Sequence, residues 1–361
     1  MASTKHFNRE REDVLTAARR RMSMVFDEFK HVVVSVSGGK DSSVIRELAI
    51  DEACRRGRRV SMFFLDQEAE YASTVSIMRD WMHDTRIDPM WYQVPIRMTN
   101  ATSHAEYWLR AWWDGEEWMR EKDPNAITAI GEKYPTRFYD FFEWMEMRSP
   151  TSTAFVVGMR ARESLNRHRS TTKVAGYSDW TWSTKTKNPG VFRVYPIYDW
   201  FFGDVWKFIA DNGISYNTHY DRMFAKHGAD EKRMRVSNLI HEQAFQCLAD
   251  LQEFEPDTYD LLIKRLGGVH AAALYAREKS IYSAGELPDT FPSWLTYRDY
   301  LLASTPCDKI DRFRKRFSKQ PQDEETYRQQ CRQILRNDWE NNVPVPNTRK
   351  ERLREVWWER L

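Results

Sequence analysis

Apolar residues recur along this chain in two alternating rhythms. Between residues 8 and 30, Val14, Leu15, Ala18, Met22, Val25, Phe26 and Phe29 fall three and four apart, which predicts a helix with one buried stripe. The next run, His31-Val-Val-Val-Ser-Val36, is short and dense in β-branched residues, as a strand buried on both faces of a parallel sheet would be. Helical spacing returns from Ser43 to Arg56, with Val44, Ile45, Leu48 and Ala49 inward, and stops at Gly57. Arg59 to Asp66 predicts a second strand, Tyr71 to Arg86 a helix, and Met90 to Ile96 a third strand. A helical crossover between strands makes them parallel neighbours.

The rhythm breaks from Asn100 to Met147, where Tyr107-Trp108, Trp112-Trp113, Trp118 and Trp144 stand among many charges. This stretch reads as a helical insertion, its aromatics serving as core, lid or base-stacking platform. Thr153 to Gly158 predicts a strand, Gly176 to Gly190 a mobile polar loop, Phe192 to Pro196 a strand and Gly203 to Ile209 a short helix. Beyond about residue 230 the spacing is helical: Val236 to Phe254, Thr258 to Leu266, Ala271 to Lys279, Tyr297 to Phe317 and Glu324 to Trp339. Pro344 and Pro346 precede a last helix, Arg349 to Leu361. The expected architecture is α/β, a Rossmann-like parallel sheet with flanking helices. An N-terminal helix (1–30) leads into a nucleotide-domain-like segment (31–228, with the insertion at about 100–147), and a helical C-terminal domain spans 229–361.

Candidate chemistry sits where strands end. Ser37-Gly38-Gly39-Lys40-Asp41-Ser42 links the first strand to its helix, placing backbone N–H groups and a helix N-terminus where they can hold an anion. The spacing is neither that of a Walker A loop nor that of a dinucleotide fingerprint. Asp66, with Glu68 and Glu70, ends the second strand at the same rim. Gly158-Met-Arg160-Ala-Arg162-Glu163-Ser164, followed by Arg167 and Arg169, ends a later one, and such arginines suit phosphate oxygens.

Composition narrows the classes. Lys and Arg number 55 against 53 Asp and Glu, a net charge of +2, so no global field demands nucleic acid. The Arg19-Arg20-Arg21 run reads as a solvated helix face, and Arg312, Arg314, Lys315 and Arg316 form a local basic cluster. The cysteines at 54, 247, 307 and 331 form no Cys-x-x-Cys pair, which fits a reducing compartment and argues against a zinc ribbon or a cysteine-ligated iron–sulfur cluster. Cys54 and Cys247 read as buried small hydrophobes. No apolar run is long enough for a membrane span and the first residues lack a signal core, so a cytoplasmic protein with no membrane partner is expected.

Four ordered segments carry a family resemblance: Ser37 to Ser42, Leu65-Asp66, Gly158 to Ser164 with Arg167, and Tyr195-Pro-Ile-Tyr-Asp-Trp200 leading to Asp204-Val-Trp206. With Ser215-Tyr-Asn217 and Tyr220-Asp221 they cover roughly residues 28 to 225. They resemble the phosphoadenosine-phosphosulfate (PAPS) reductase family of the PP-loop ATP pyrophosphatase (adenine nucleotide α-hydrolase) superfamily. Within it the chain is most similar to a branch with a C-terminal domain of unknown function. That branch includes the co-activator of an immunoglobulin-binding regulator pair, whose partner is a ParB-like protein.

The resemblance implies an enzyme that splits ATP into AMP and pyrophosphate through an adenylated acceptor. Ser37, Gly38, Gly39, Lys40, Asp41 and Ser42 would bind the β and γ phosphates, with Lys40 facing the departing pyrophosphate. Asp41 and Asp66 would hold Mg²⁺. Arg160 and Arg162 would stabilise charge at the α phosphate, Gly158 and Arg167 would complete the nucleotide site, and Met62 to Leu65, Phe64 among them, would read adenine. Glu163 would fix an arginine. The reductase Glu-Cys-Gly motif and the grouped cysteines of iron–sulfur members are missing, so thiol-dependent PAPS reduction is not expected. Two other classes stay open: a regulatory nucleotide-binding protein working with a ParB-like partner, and a nucleic-acid modification enzyme.

Overall fold

The computed structural model describes residues 12–346 except 173–174, 232, 237, 243–244, 277, 279–281, 283 and 306–308. The described strands are β1 (His31–Ser35), β2 (Val60–Leu65), β3 (Ile87–Tyr92), β4 (Ile96–Thr99), β5 (Trp108–Ala111), β6 (Thr153–Val157), β7 (Ser183–Lys185) and β8 (Val191–Val194). The helices are α1 (Val14–Glu28), α2 (Lys40–Arg55), α3 (Ala72–Met82), α4 (Phe138–Arg148), α5 (Leu165–Thr172), α6 (Phe202–Asn212) and α7 (His219–His227). After them come α8 (Phe245–Phe254), α9 (Pro256–Arg265), α10 (Val269–Tyr275), α11 (Trp294–Ser304), α12 (Ile310–Phe317) and α13 (Glu324–Leu335).

The chain divides into two compact units. The first holds residues 1–96, 111–116 and 120–236; the second holds 97–110, 117–119 and 237–361.

In the first unit six strands form one sheet in the order β3-β2-β1-β6-β8-β7. All neighbours are parallel except β7 and β8. The valines of β1 do what their density implies: Val34 is fully buried, paired with Met62 on one side and Val156 on the other. From β1 the chain winds outward through β2 and β3, then returns to β6 on the opposite side. The sheet's topological switch point therefore lies between β1 and β6, and in open parallel sheets ligands bind outside the strand C-termini there. Ser35 pairs with Val157 across that junction, so the loops after both strands leave at the same height.

Several elements differ from the pattern reading. The third strand starts earlier, at Ile87, and ends at Tyr92, with Pro95 separating it from β4. Pro89 is tolerated within it because β3 is the sheet edge. The stretch 100–147 is not a helical insertion: it holds β5 and one helix, α4, with turns between, and Gly115 at φ 82 in Asp114-Gly115 breaks any helix. The polar loop 176–190 carries β7, and Gly176 packs directly on the Thr184 backbone. The expected Tyr297–Phe317 helix is two, because Thr305, which precedes Pro306, is extended at φ −73, ψ 119. Val236 to Phe254 is helical only from Phe245, and the expected helix 349–361 lies outside the described residues.

The second unit joins the β4–β5 ribbon to helices α8 to α13. Phe313, Phe317, Cys331, Ile334 and Trp339 pack with Tyr297 and Leu301 in its core. Among the described residues no helix is long and apolar enough to cross a membrane.

Candidate functional site

The loop after β1 is built for close approach. Gly38 has φ +70, and a Cβ there would lie 2.8 Å from the Thr74 methyl in the first turn of α3. Gly39 is the N-cap of α2 and, having no side chain, leaves the helix start uncapped. The amides of Gly38, Gly39, Asp41 and Ser42 meet no acceptor among the described residues, whereas that of Lys40 donates to the Tyr220 hydroxyl at 3.2 Å. Ser37 and Ser42 brace the turn, the Ser37 amide donating to Ser42 Oγ at 3.0 Å. Open amides at a helix N-terminus form a concentrated positive edge.

The chain leaving β6 closes the other side. Gly158 lies so near α2 that a Cβ would sit 2.9 Å from the Asp41 carbonyl oxygen, so the two loops are in contact. Gly158 thus serves that contact. Two residues on, Arg160 is fully buried: its Nε donates to Asp41 Oδ1 at 2.5 Å and its Nη2 to Glu231 Oε1 at 2.8 Å. Its Nη1 is buried with no partner among the described residues. Burial would push the Asp41 carboxyl up, but the Lys40 and Arg160 cations hold it well below the usual carboxylate range. The Arg160 guanidinium is raised in turn, since Asp41 and Glu231 outweigh its burial.

More cations crowd the same rim. Arg167 pairs with Glu163, and desolvation with the neighbouring Arg235 and Arg160 cations pushes its guanidinium down to about 10. Arg235 Nη2 donates to the Glu163 carbonyl at 2.8 Å. Glu163 therefore does tether arginines, with Arg160 Nη2 also 3.5 Å from its carboxylate. The Arg162 guanidinium lies 3.6 Å from the Phe201 ring centroid.

Four expected roles change. Lys40 is only 2% exposed; its Nζ is 3.0 Å from Asp41 Oδ2 and lies over the Phe202 and Tyr220 rings, so its charge is spent inside the wall. Phe64 is a core residue, buried against Trp91 and paired with it across the β2–β3 ladder. Asp66 is fully buried and saturated: Oδ2 accepts from Trp91 Nε1 and Gln93 Nε2, and Oδ1 from the Glu68 amide and Arg120 Nη2. With both Asp41 oxygens facing cations and both Asp66 oxygens facing donors, neither carboxylate suits Mg²⁺.

Tyr220, Glu231 and Arg235 belong to the site yet carry no strong signal of their own in the sequence. Tyr220 was visible only as part of a turn, and the other two follow α7 in a stretch with no motif. Of the cysteines, Cys54 is exposed rather than buried; Cys247 and Cys331 are buried, and Cys307 lies outside the described residues. Burial pushes the Cys331 thiol up to about 12, far from thiolate chemistry.

Residues 31–273 match the family model of the phosphoadenosine phosphosulfate reductase domain, and residues 228–323 match a domain of unknown function, DUF3440. The chain is 27% identical over 322 residues to the uncharacterized protein YbdN of Escherichia coli (strain K12), covering 85% of this chain and 79% of that one. It is 23% identical over 239 residues to the uncharacterized protein MJ0973 of Methanocaldococcus jannaschii, covering 63% of this chain but only 49% of that one. Among solved structures it is similar to Candida glabrata FMN adenylyltransferase in complex with FAD and inorganic pyrophosphate. That match has TM-score 0.38 and 13% identity, over 59% of this chain and 60% of that one. The PAPS reductase of Candida auris in its phosphate complex gives 0.29 and 11%, over 59% and 92%.

Proposed function

Because the chain belongs to the phosphoadenosine phosphosulfate reductase domain family, we propose that it binds ATP at the β1–β6 switch point and cleaves it between the α and β phosphates. The observation that supports this best is the buried Arg160 guanidinium. Two carboxylates orient it, and it keeps one uncommitted nitrogen beside a helix start whose amides are open. A donor held in this way is worth most where charge rearranges during reaction, because it needs no reorganisation.

In this reading the amides of Gly38, Gly39, Asp41 and Ser42 take the β and γ phosphates. Arg160 Nη1 takes an α-phosphate oxygen, and Arg167 and Arg235 compensate remaining charge. An oxygen of water or of an acceptor attacks the α phosphorus. The bond from that phosphorus to the α–β bridging oxygen breaks, and its electron pair leaves with pyrophosphate. Lys40 acts indirectly, by pinning Asp41, which in turn pins Arg160. No cysteine takes part.

Pyrophosphate release from ATP, with calorimetric titration of ATP and AMP, tests the proposal. Binding together with release supports it. No heat and no release at millimolar ATP would remove it.

A further inference from the structure

Two stretches that the nucleotide reading leaves unused meet inside the second unit. Tyr107 and Trp108 come from the aromatic segment before and within β5, and Lys309 and Arg312 from the start of the basic helix α12. The Trp108 and Trp339 rings pack edge to face, 5.4 Å between centroids. Arg97 lies 5.1 Å from the Trp108 ring centroid and Arg312 4.9 Å from that of Trp339. Lys309 Nζ sits 5.8 Å from the Tyr107 ring and 6.0 Å from the Trp339 ring. Cation and aromatic plane alternate across one cluster.

The cluster is anchored, and its cations are left over. Trp339 is buried among Phe313 and Phe317, so the ring array is rigid. Arg97, Arg312 and Lys315 are exposed, and none of the three pairs with a carboxylate among the described residues. Neighbouring basic residues behave differently: Arg314 reaches Asp311 at 3.2 Å, and Arg316 donates to Gln333 and to the Asp338 carbonyl. Of the acids on these elements, Asp311 pairs with Arg314 and Glu340 accepts from the Thr99 hydroxyl at 3.2 Å. A guanidinium laid on an indole keeps its N–H edge free for an anion while the stack restrains it.

We propose that this face of the second unit binds single-stranded nucleic acid, with phosphates on Arg97, Arg312 and Lys315 and bases against Tyr107 and Trp108. An acidic protein segment would use the cations but has no use for the rings. A duplex hides its base faces, whereas a single strand presents charge and π-face together. The inference does not depend on ATP cleavage.

The test uses the full chain and fluorescence anisotropy with labelled single strands of about 20 nucleotides, oligo-dT and oligo-rU, beside a duplex and polyglutamate of similar length. Wild type should bind at least one single strand more tightly than duplex or polyglutamate, and the dT and rU arms show whether DNA or RNA is preferred. Joint reversal, Arg97→Glu with Arg312→Glu, should weaken binding about tenfold or more. It should also flatten the salt slope by about 1.4, two phosphate contacts at about 0.7 each. Tyr107→Ala should weaken oligonucleotide binding and leave polyglutamate unchanged. Lys207→Glu, an exposed reversal in the first unit, should bind as wild type. The proposal is overturned by equal or tighter binding of duplex or polyglutamate, by unchanged affinity in the folded double reversal, or by no single-strand binding at low salt.

Discussion

Arg160 Nε lies 2.5 Å from Asp41 Oδ1, tying the end of β6 to the first turn of α2 across 119 residues of sequence. Both groups are nearly or wholly enclosed, with side-chain exposures of 0% and 13%. In such a setting each partner's charge depends on the other, because an unpaired buried ion costs several kcal/mol. The pair thus ties the candidate phosphate loop to the candidate transition-state donor.

Removing Arg160 should reveal both roles. Arg160→Ala should lower pyrophosphate release by about 10²–10³, the effect of losing one oriented donor, and should lower the melting temperature by stranding Asp41. Arg160→Lys should recover much of the melting temperature but little turnover, since a single ammonium cannot serve Asp41, Glu231 and a phosphate together. Equal recovery of both would show that only charge is needed.

Glu70 gives a pH signature. Burial, with the nearby Asp66 charge, pushes its carboxyl up to about 8 from an ordinary 4.5. A raised folded-state pKa means the stability present below the ordinary value is lost as pH rises through the folded one. Glu70→Gln should therefore melt higher than wild type at pH 8 to 9, with a gap that shrinks toward pH 5. A gap independent of pH between 5 and 9 would show that Glu70 is not protonated in the folded protein.

Tyr220 competes with the ligand. Its hydroxyl accepts from the Lys40 amide, the one helix-start donor that is already taken. Tyr220→Phe should cost stability by about 1 kcal/mol yet tighten pyrophosphate or ATP binding severalfold, because the freed Lys40 amide completes a run of five open amides from Gly38 to Ser42. Weaker binding, measured by calorimetry, would mean that the hydroxyl itself contacts the phosphates.

Two glycines make a matched comparison. A methyl at Gly158 would meet the Asp41 backbone at 2.9 Å, and backbone cannot swing aside; one at Gly203 in α6 meets nothing within 4 Å. Gly158→Ala should lower both the melting temperature and ATP affinity, whereas Gly203→Ala should be neutral or slightly stabilising, as Gly to Ala in a helix usually is. Comparable melting of the two variants would argue that the β6 and α2 loops separate easily.

Local pattern revealed the parts whose physics is local. The valine run of β1, the glycine pair after it and the arginines after β6 each announce their element within about ten residues, because periodicity and turn chemistry act over that range. The parallel pairing of the first strands and the convergence of both loops at one rim also followed from alternating strands and helices, whereas the place of β6 beside β1 was decided by the fold. The helical reading of 100–147 failed because aromatic density at near-helical spacing says nothing of the turns at Trp112 and Gly115, both at positive φ.

Chain order and residue type thus determined the alternation of strands and helices and the identity of the loop and arginine segments. Only the tertiary structure decided which charges those segments leave free. Lys40 and Asp66 have the right chemistry for phosphate and metal, yet packing turns one toward Asp41 and encloses the other among four donors. Glu231 and Arg235 entered the site through contacts with Arg160 and Glu163. The reason is electrostatic: in an enclosed site a charge acts on whatever lies within a few ångströms, and that neighbour is chosen by the fold, not by its place in the chain.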